Sequence, residues 1–151
     1  MAKVQRIVVH CTGEPADAKR NRAYYNHFFF TVKGWQHYGY HIVVYQDGCW
    51  EVLQQLPRIT DDGGMIDYFS TANGAKGYDD SSLHIAYVGG LDPQSGKPAD
   101  TRTTNQIETL KFLVAKYKAL YKVSEILGHN QLPLVKKACP CFDARKEYAD
   151  V

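Results

Sequence analysis

Three side chains in this sequence are of the kind that hold a transition metal, and each stands where an ordered segment gives way to a loop: His10 near the start, His129 and Cys139 near the end. Imidazole and thiolate are ligands that zinc prefers, and three protein ligands with one open position make a catalytic rather than a structural site. The surroundings sharpen the pattern. His10 ends the apolar run Ile7-Val8-Val9-His10-Cys11-Thr12, His129 follows Gly128, and Cys139 sits in Lys137-Ala138-Cys139-Pro140-Cys141-Phe142-Asp143. Such a metal activates water for attack on a carbonyl, so the residues predict a zinc hydrolase. Each has a plainer reading when taken alone: His10 as a neutral histidine satisfied in the core, and Cys141 as a rival thiol to Cys139. No Glu lies in a helix motif with paired His, so the zincin arrangement is excluded.

The elements that must position these residues are legible as periods. Residues 4–11 carry Val4, Ile7, Val8 and Val9 with little alternation, which fits a strand buried on both faces that delivers His10 to its C-terminal end. Glu14-Pro15 breaks that strand. Asp17 can cap a helix in which Tyr25, Phe28, Phe29 and Val32 recur as a core stripe until Gly34 stops it. Trp35 is expected to fill the core beside that helix's end. Two apolar runs, 40–45 and 50–53, flank Gln46-Asp47-Gly48 and predict a hairpin, with Tyr40 and His41 entering the strand on opposite faces. Residues 57–80 are rich in Gly, Asp, Asn and Ser and read as a long surface excursion. Residues 83–88 read as another strand. Thr103 and Gln106 have the spacing of a capping box, and Ile107, Leu110, Leu113, Val114, Tyr117 and Tyr121 mark the buried face of a long helix. Residues 125–127 lead to His129, and Asp143 can cap a last short helix. Interleaved strands and helices predict an α/β fold, a single mixed central β-sheet flanked by helices, with residues 1–151 as one domain.

Composition narrows the partners. The chain has 151 residues, 44% of them hydrophobic and 23% charged, the make-up of a globular protein that buries about two-thirds of its unfolded surface. Eighteen basic against sixteen acidic side chains leave a charge of +2, far from the basic field that nucleic-acid binding requires. No apolar stretch reads as a membrane span or as a secretory signal, so the expectation is synthesis in a cytoplasm with no export signal. A reducing compartment argues against pairing Cys11, Cys49, Cys139 and Cys141. Cys11 and Cys49 are expected on strands as small buried hydrophobes. His27, His37 and His84 have no motif context and read as surface or core.

Taken in order, Ile7-Val8-Val9-His10-Cys11-Thr12, Gly34-Trp35 with Gly39-Tyr40-His41-Ile42-Val43 and Asp47-Gly48, Ala75-Lys76-Gly77-Tyr78 with Val88-Gly89-Gly90, and Lys137-Ala138-Cys139-Pro140 with Phe142-Asp143 resemble the zinc-dependent N-acetylmuramoyl-L-alanine amidases of the phage lysozyme type. That family shares its fold with the peptidoglycan recognition proteins. The matched blocks span nearly the whole chain. The resemblance implies one catalytic Zn2+ held by His10, His129 and Cys139, with Tyr40 and Lys137 assisting catalysis; adjacent Lys136 leaves the lysine ambiguous by one position. It implies cleavage of the amide between the lactyl group of N-acetylmuramic acid and L-alanine in peptidoglycan. A wall-degrading enzyme without an export signal is expected to be a phage or prophage endolysin that acts after release or delivery to the wall, and a monomer is expected. The alternative is a muropeptide-binding module that does not cut. The chain also departs from the family: two extra residues lie between His129 and Cys139, within residues 130–136, and Gly74 stands where relatives often carry His.

Overall fold

The computed structural model describes residues 2–151. Its strands are β1 (Ala2–Lys3), β2 (Arg6–Cys11), β3 (Glu14–Pro15), β4 (Ile42–Val44), β5 (Trp50–Val52), β6 (Arg58–Thr60), β7 (Gly63–Ile66), β8 (Ser82–Tyr87), β9 (Gly90–Leu91) and β10 (Glu125–Gly128), and its α-helices are α1 (Arg22–Asn26), α2 (Thr104–Tyr121) and α3 (Ala144–Glu147). The central sheet has the order β10-β2-β8-β4-β5. Its first four strands run parallel and β5 closes the edge antiparallel to β4. The expected mixed sheet flanked by helices is therefore present. Ile7, Val8 and Val9 are all fully buried, as a parallel strand covered on both faces must be.

The pleat sorts the sheet's two faces. Ile7, Val9, Ile42, Val44, Leu83, Ile85 and Tyr87 form one core with Leu110, Leu113, Val114, Tyr117 and Tyr121 of α2. The alternate residues Val8, His10 and His84 turn to the other face, so β2 and β8 present two histidines side by side there. The capping box forms as expected, Gln106 N–H donating to Thr103 Oγ1 at 3.1 Å and Thr103 N–H to Gln106 Oε1 at 2.9 Å. Ile107 is not on the buried face. Gln106 is, its amide donating to the carbonyls of Val44 and Val88 at 3.3 and 3.0 Å, which satisfies two strand-end acceptors and turns Ile107 to the rim.

The first helix differs from expectation. Asn21, not Asp17, caps α1, accepting from Tyr24 N–H at 2.9 Å. The Gln46 amide holds the carbonyls of Ala16 and Ala18, so residues 16–20 are tied to the hairpin instead of wound into the helix. After five residues the α-helix gives way to a π-helix, His27–Val32. The wider turn breaks the assumed stripe: Tyr25 and Phe29 are core, Phe28 is half-buried and Val32 is exposed. Tyr40 and His41 precede β4 rather than lying in it. Cys49 is exposed in the hairpin and not a strand residue, whereas Cys11 is buried as expected; all four cysteines are free.

The excursion at 57–80 is more ordered than its composition implies. β6 and β7 join β1 in a three-stranded antiparallel sheet packed on the end of α2. A Cβ at Gly64 would stand 2.3 Å from the Tyr121 ring, and one at Gly63 2.4 Å from the Tyr121 carbonyl. These glycines serve close approach, not flexibility. Among the described residues, no helix is long and apolar enough to cross a membrane.

Candidate metal centre and cleft

Strand register brings two of the three candidate ligands together. β10 and β2 run parallel with Gly128 beside Val9, so the residue after each, His129 and His10, emerges at the same edge. Their rings lie 4.8 Å apart. Cys139 arrives from the C-terminal turn, in which the Cys139–Pro140 peptide is cis. The turn is held by Asn130 N–H on the Cys139 carbonyl (2.8 Å), Cys141 N–H on the Ala138 carbonyl (2.6 Å) and the Tyr87 hydroxyl on the Pro140 carbonyl (2.7 Å). The ligand atoms of His10, His129 and Cys139 all lie within 4.8 Å of one another.

The donor set fits zinc. Tetrahedral coordination with ordinary Zn–N and Zn–S lengths places N and S about 3.6 Å apart, and Cys139 Sγ lies 3.7 Å from His10 Nδ1. Cys11 N–H donates to Cys139 Sγ at 3.2 Å, which fixes where the sulfur sits. Burial, then His84, His129 and Lys137, holds the His10 imidazole well below its ordinary range. Burial and then Lys137 lowers His129. Neutral imidazole is the form that ligates a metal. The rival Cys141 lies apart from this trio: its Sγ faces the Gly90 carbonyl at 3.6 Å, and burial pushes its thiol up to about 12.

The trio forms the floor of a cleft of about 300 Å³, walled by Tyr40, Lys137, Phe28, Phe29, Lys33, Trp35, Asn73 and Gly74. A larger depression beside Asp47, Asn105 and Glu108 gathers no comparable set of reactive groups. Of the two adjacent lysines, Lys137 lines the cleft and Lys136 does not. Tyr40 is half-buried, with its ring 5.3 Å from that of His10 and its hydroxyl 3.5 Å from the Cys11 carbonyl. Burial above all, then Cys139 and Cys11, raises its phenol well above the usual range, so at neutral pH it is a proton donor. Trp35 is not sealed in the core; it is half-buried on the cleft wall, stacked on Phe29 at 5.7 Å, with the Lys33 ammonium 4.8 Å from its ring centre.

Sequence reasoning passed over His84. It is fully buried and lies 2.8 Å from His10 through a ring nitrogen. The available signal was a polar ring in the middle of the apolar strand 83–88, where burial demands partners. His41 is also fully buried, its Nδ1 accepting from His84 N–H and its Nε2 donating to the Ser70 carbonyl.

Residues 1–142 match the family model described as N-acetylmuramoyl-L-alanine amidase. The endolysin of Klebsiella phage KP32 is 28% identical, with 97% of this chain and 91% of that protein covered. Among solved structures, the Ph2119 endolysin from Thermus scotoductus MAT2119 bacteriophage Ph2119 superposes with a TM-score of 0.67 at 24% identity, covering 93% of this chain and 79% of that one. The Apis mellifera PGRP-SA structure gives 0.69 at 14% identity, covering 99% and 84%. With the sheet, the cleft and the family match in agreement, the chain belongs to the N-acetylmuramoyl-L-alanine amidase family.

Proposed function

We propose that the chain hydrolyses the amide between the lactyl group of N-acetylmuramic acid and L-alanine in peptidoglycan, with His10, His129 and Cys139 holding one zinc ion and Tyr40 and Lys137 assisting. The observation that carries this reading is the convergence of two neutral imidazoles and a thiol on the floor of a cleft that a tyrosine and a lysine also line. Zinc bound there polarises the amide carbonyl and makes water a competent nucleophile near neutral pH. The protein's own groups manage the charge and the protons. The water adds as hydroxide, its proton having passed to solvent, to give a tetrahedral oxyanion, and a donor aimed at it stabilises charge that exists only in the transition state, worth about 3 kcal/mol. Tyr40, kept protonated by its buried setting, is such a donor. Lys137 supplies a cation at the same wall and a proton for the departing nitrogen as the C–N bond breaks, leaving a lactyl carboxylate and a free L-alanine amine. Phe28 and Trp35 offer apolar faces for the substrate.

Kinship with phage endolysins supports action on the bacterial wall in that role. Retention of the thiol ligand sets the non-cutting binding module behind the enzyme. The test is metal stoichiometry with lysis of purified walls. One zinc per chain is expected, lost in Cys139→Ala and His129→Ala, with activity abolished by a chelator and restored by zinc. Full activity after complete zinc removal would overturn the proposal.

A further inference from the structure

His84 is bonded at both ring nitrogens. Its Nδ1 lies 2.8 Å from His10 Nε2 and its Nε2 lies 2.8 Å from Asp79 Oδ1. The His10 nitrogen turned to Cys139 is the other one, Nδ1. With Nδ1 as the ligand atom, the proton of His10 sits on Nε2 and is donated to His84 Nδ1. His84 then carries its own proton on Nε2 and donates it to Asp79. The carboxylate at the end of the line also accepts Ala75 N–H at 2.7 Å. Each tautomer is fixed by the next partner, and the line leads from a carboxylate to the metal centre.

Two further features hold the His84 ring in place. His84 N–H donates to His41 Nδ1 at 3.0 Å, and the two rings are stacked 10° from parallel at 6.0 Å. On the other side Gly74 makes room: a Cβ there would lie 2.5 Å from His84 Nδ1 and 2.6 Å from its Cγ. A side chain at 74 and the imidazole of His84 therefore exclude one another.

We infer that Asp79 and His84 are positioning residues of the metal centre, a carboxylate–imidazole line that fixes the tautomer and orientation of the His10 ligand, and that Gly74 is the residue whose bareness admits it. The inference rests on the reading of His10 as a ligand. Partners behind a metal-bound histidine set its ring orientation and basicity, and their loss costs about 10- to 100-fold in metal affinity. A buried histidine satisfied for stability alone would leave affinity untouched.

The experiment is zinc affinity of the full chain by competition with a fluorescent chelator, well below each variant's melting temperature. His84→Leu, Asp79→Ala and Gly74→Ala are each expected to weaken zinc binding about 10- to 100-fold. Gly74→Ala touches neither histidine chemically and acts only by displacing the ring. His84→Asn, whose Oδ1 can still accept the His10 proton, is expected to recover most of the loss. His10→Ala is the reference. If His10→Ala binds zinc like the wild type, the ligand reading fails. If it loses zinc while His84→Leu, Asp79→Ala and Gly74→Ala stay within twofold of wild type, the positioning role is overturned and the ligand reading stands.

Discussion

Arg102 fastens the C-terminal segment that carries Cys139, and replacing it should loosen that segment measurably. Its Nε and Nη2 donate to the two oxygens of Asp100, each at 2.9 Å, Nη2 donates to Glu147 Oε1 at 2.9 Å, and Nη1 reaches the other Glu147 oxygen. The guanidinium carbon lies 3.5 Å from the centre of the Phe142 ring, three residues beyond Cys139. The arginine side chain is 4% exposed, whereas Asp100 and Glu147 are 39% and 33% exposed. Breaking a fully buried pair costs about 3–5 kcal/mol and an exposed one about 0–1. Partly solvated acids recover some hydration when the cation goes, but the stacked contact on Phe142 is lost as well, itself worth about 0.5–2 kcal/mol. Arg102→Ala should therefore cost about 3 kcal/mol, or roughly 6–12 °C for a chain of this size. Arg102→Lys keeps the charge without the planar fork and should recover less than half. Urea unfolding of the zinc-free protein reads the loss directly. A cost under about 1 kcal/mol would refute the clamp, since that is the value of a surface pair.

Tyr40→Phe removes only the hydroxyl and should lower turnover about 100-fold with zinc content unchanged, measured by steady-state release of stem peptide. Cys141→Ala should keep both zinc and activity, whereas Cys139→Ala loses both; metal analysis separates the two thiols. Burial holds the His41 imidazole down to about 3 from its ordinary 6.5. Its unfolded form takes up a proton below pH 6.5 that the folded form refuses, so the stability it confers is full above that pH and is lost as pH falls toward 3. This group alone should cost the zinc-free protein roughly 2 kcal/mol between pH 7 and pH 5. Denaturation at the two pH values checks it, and a protein equally stable at pH 5 would contradict the sign.

Much of the fold was legible because its strongest elements obey local rules. The run Ile7-Val8-Val9 could only be a strand covered on both faces, and Thr103 with Gln106 forms the box its spacing implies. The convergence of His10, His129 and Cys139 was legible through residue type and ordered motifs, though 129 positions separate His10 from Cys139. What was not legible depends on tertiary contact. Asp17 is a competent cap by type, but Gln46 binds the carbonyls around it and moves the helix start to Asn21. Gly63 and Gly64 resemble loop residues because nothing local reveals Tyr121 pressing on them. His84 lacks a motif because its meaning comes from a neighbour 74 positions away.

The central claim is most directly tested by mass spectrometry of the products after purified protein is incubated with peptidoglycan, with and without a zinc chelator. The account predicts stem peptides bearing a free N-terminal L-alanine, formed only when zinc is present. Intact glycopeptide with zinc fully bound would contradict it.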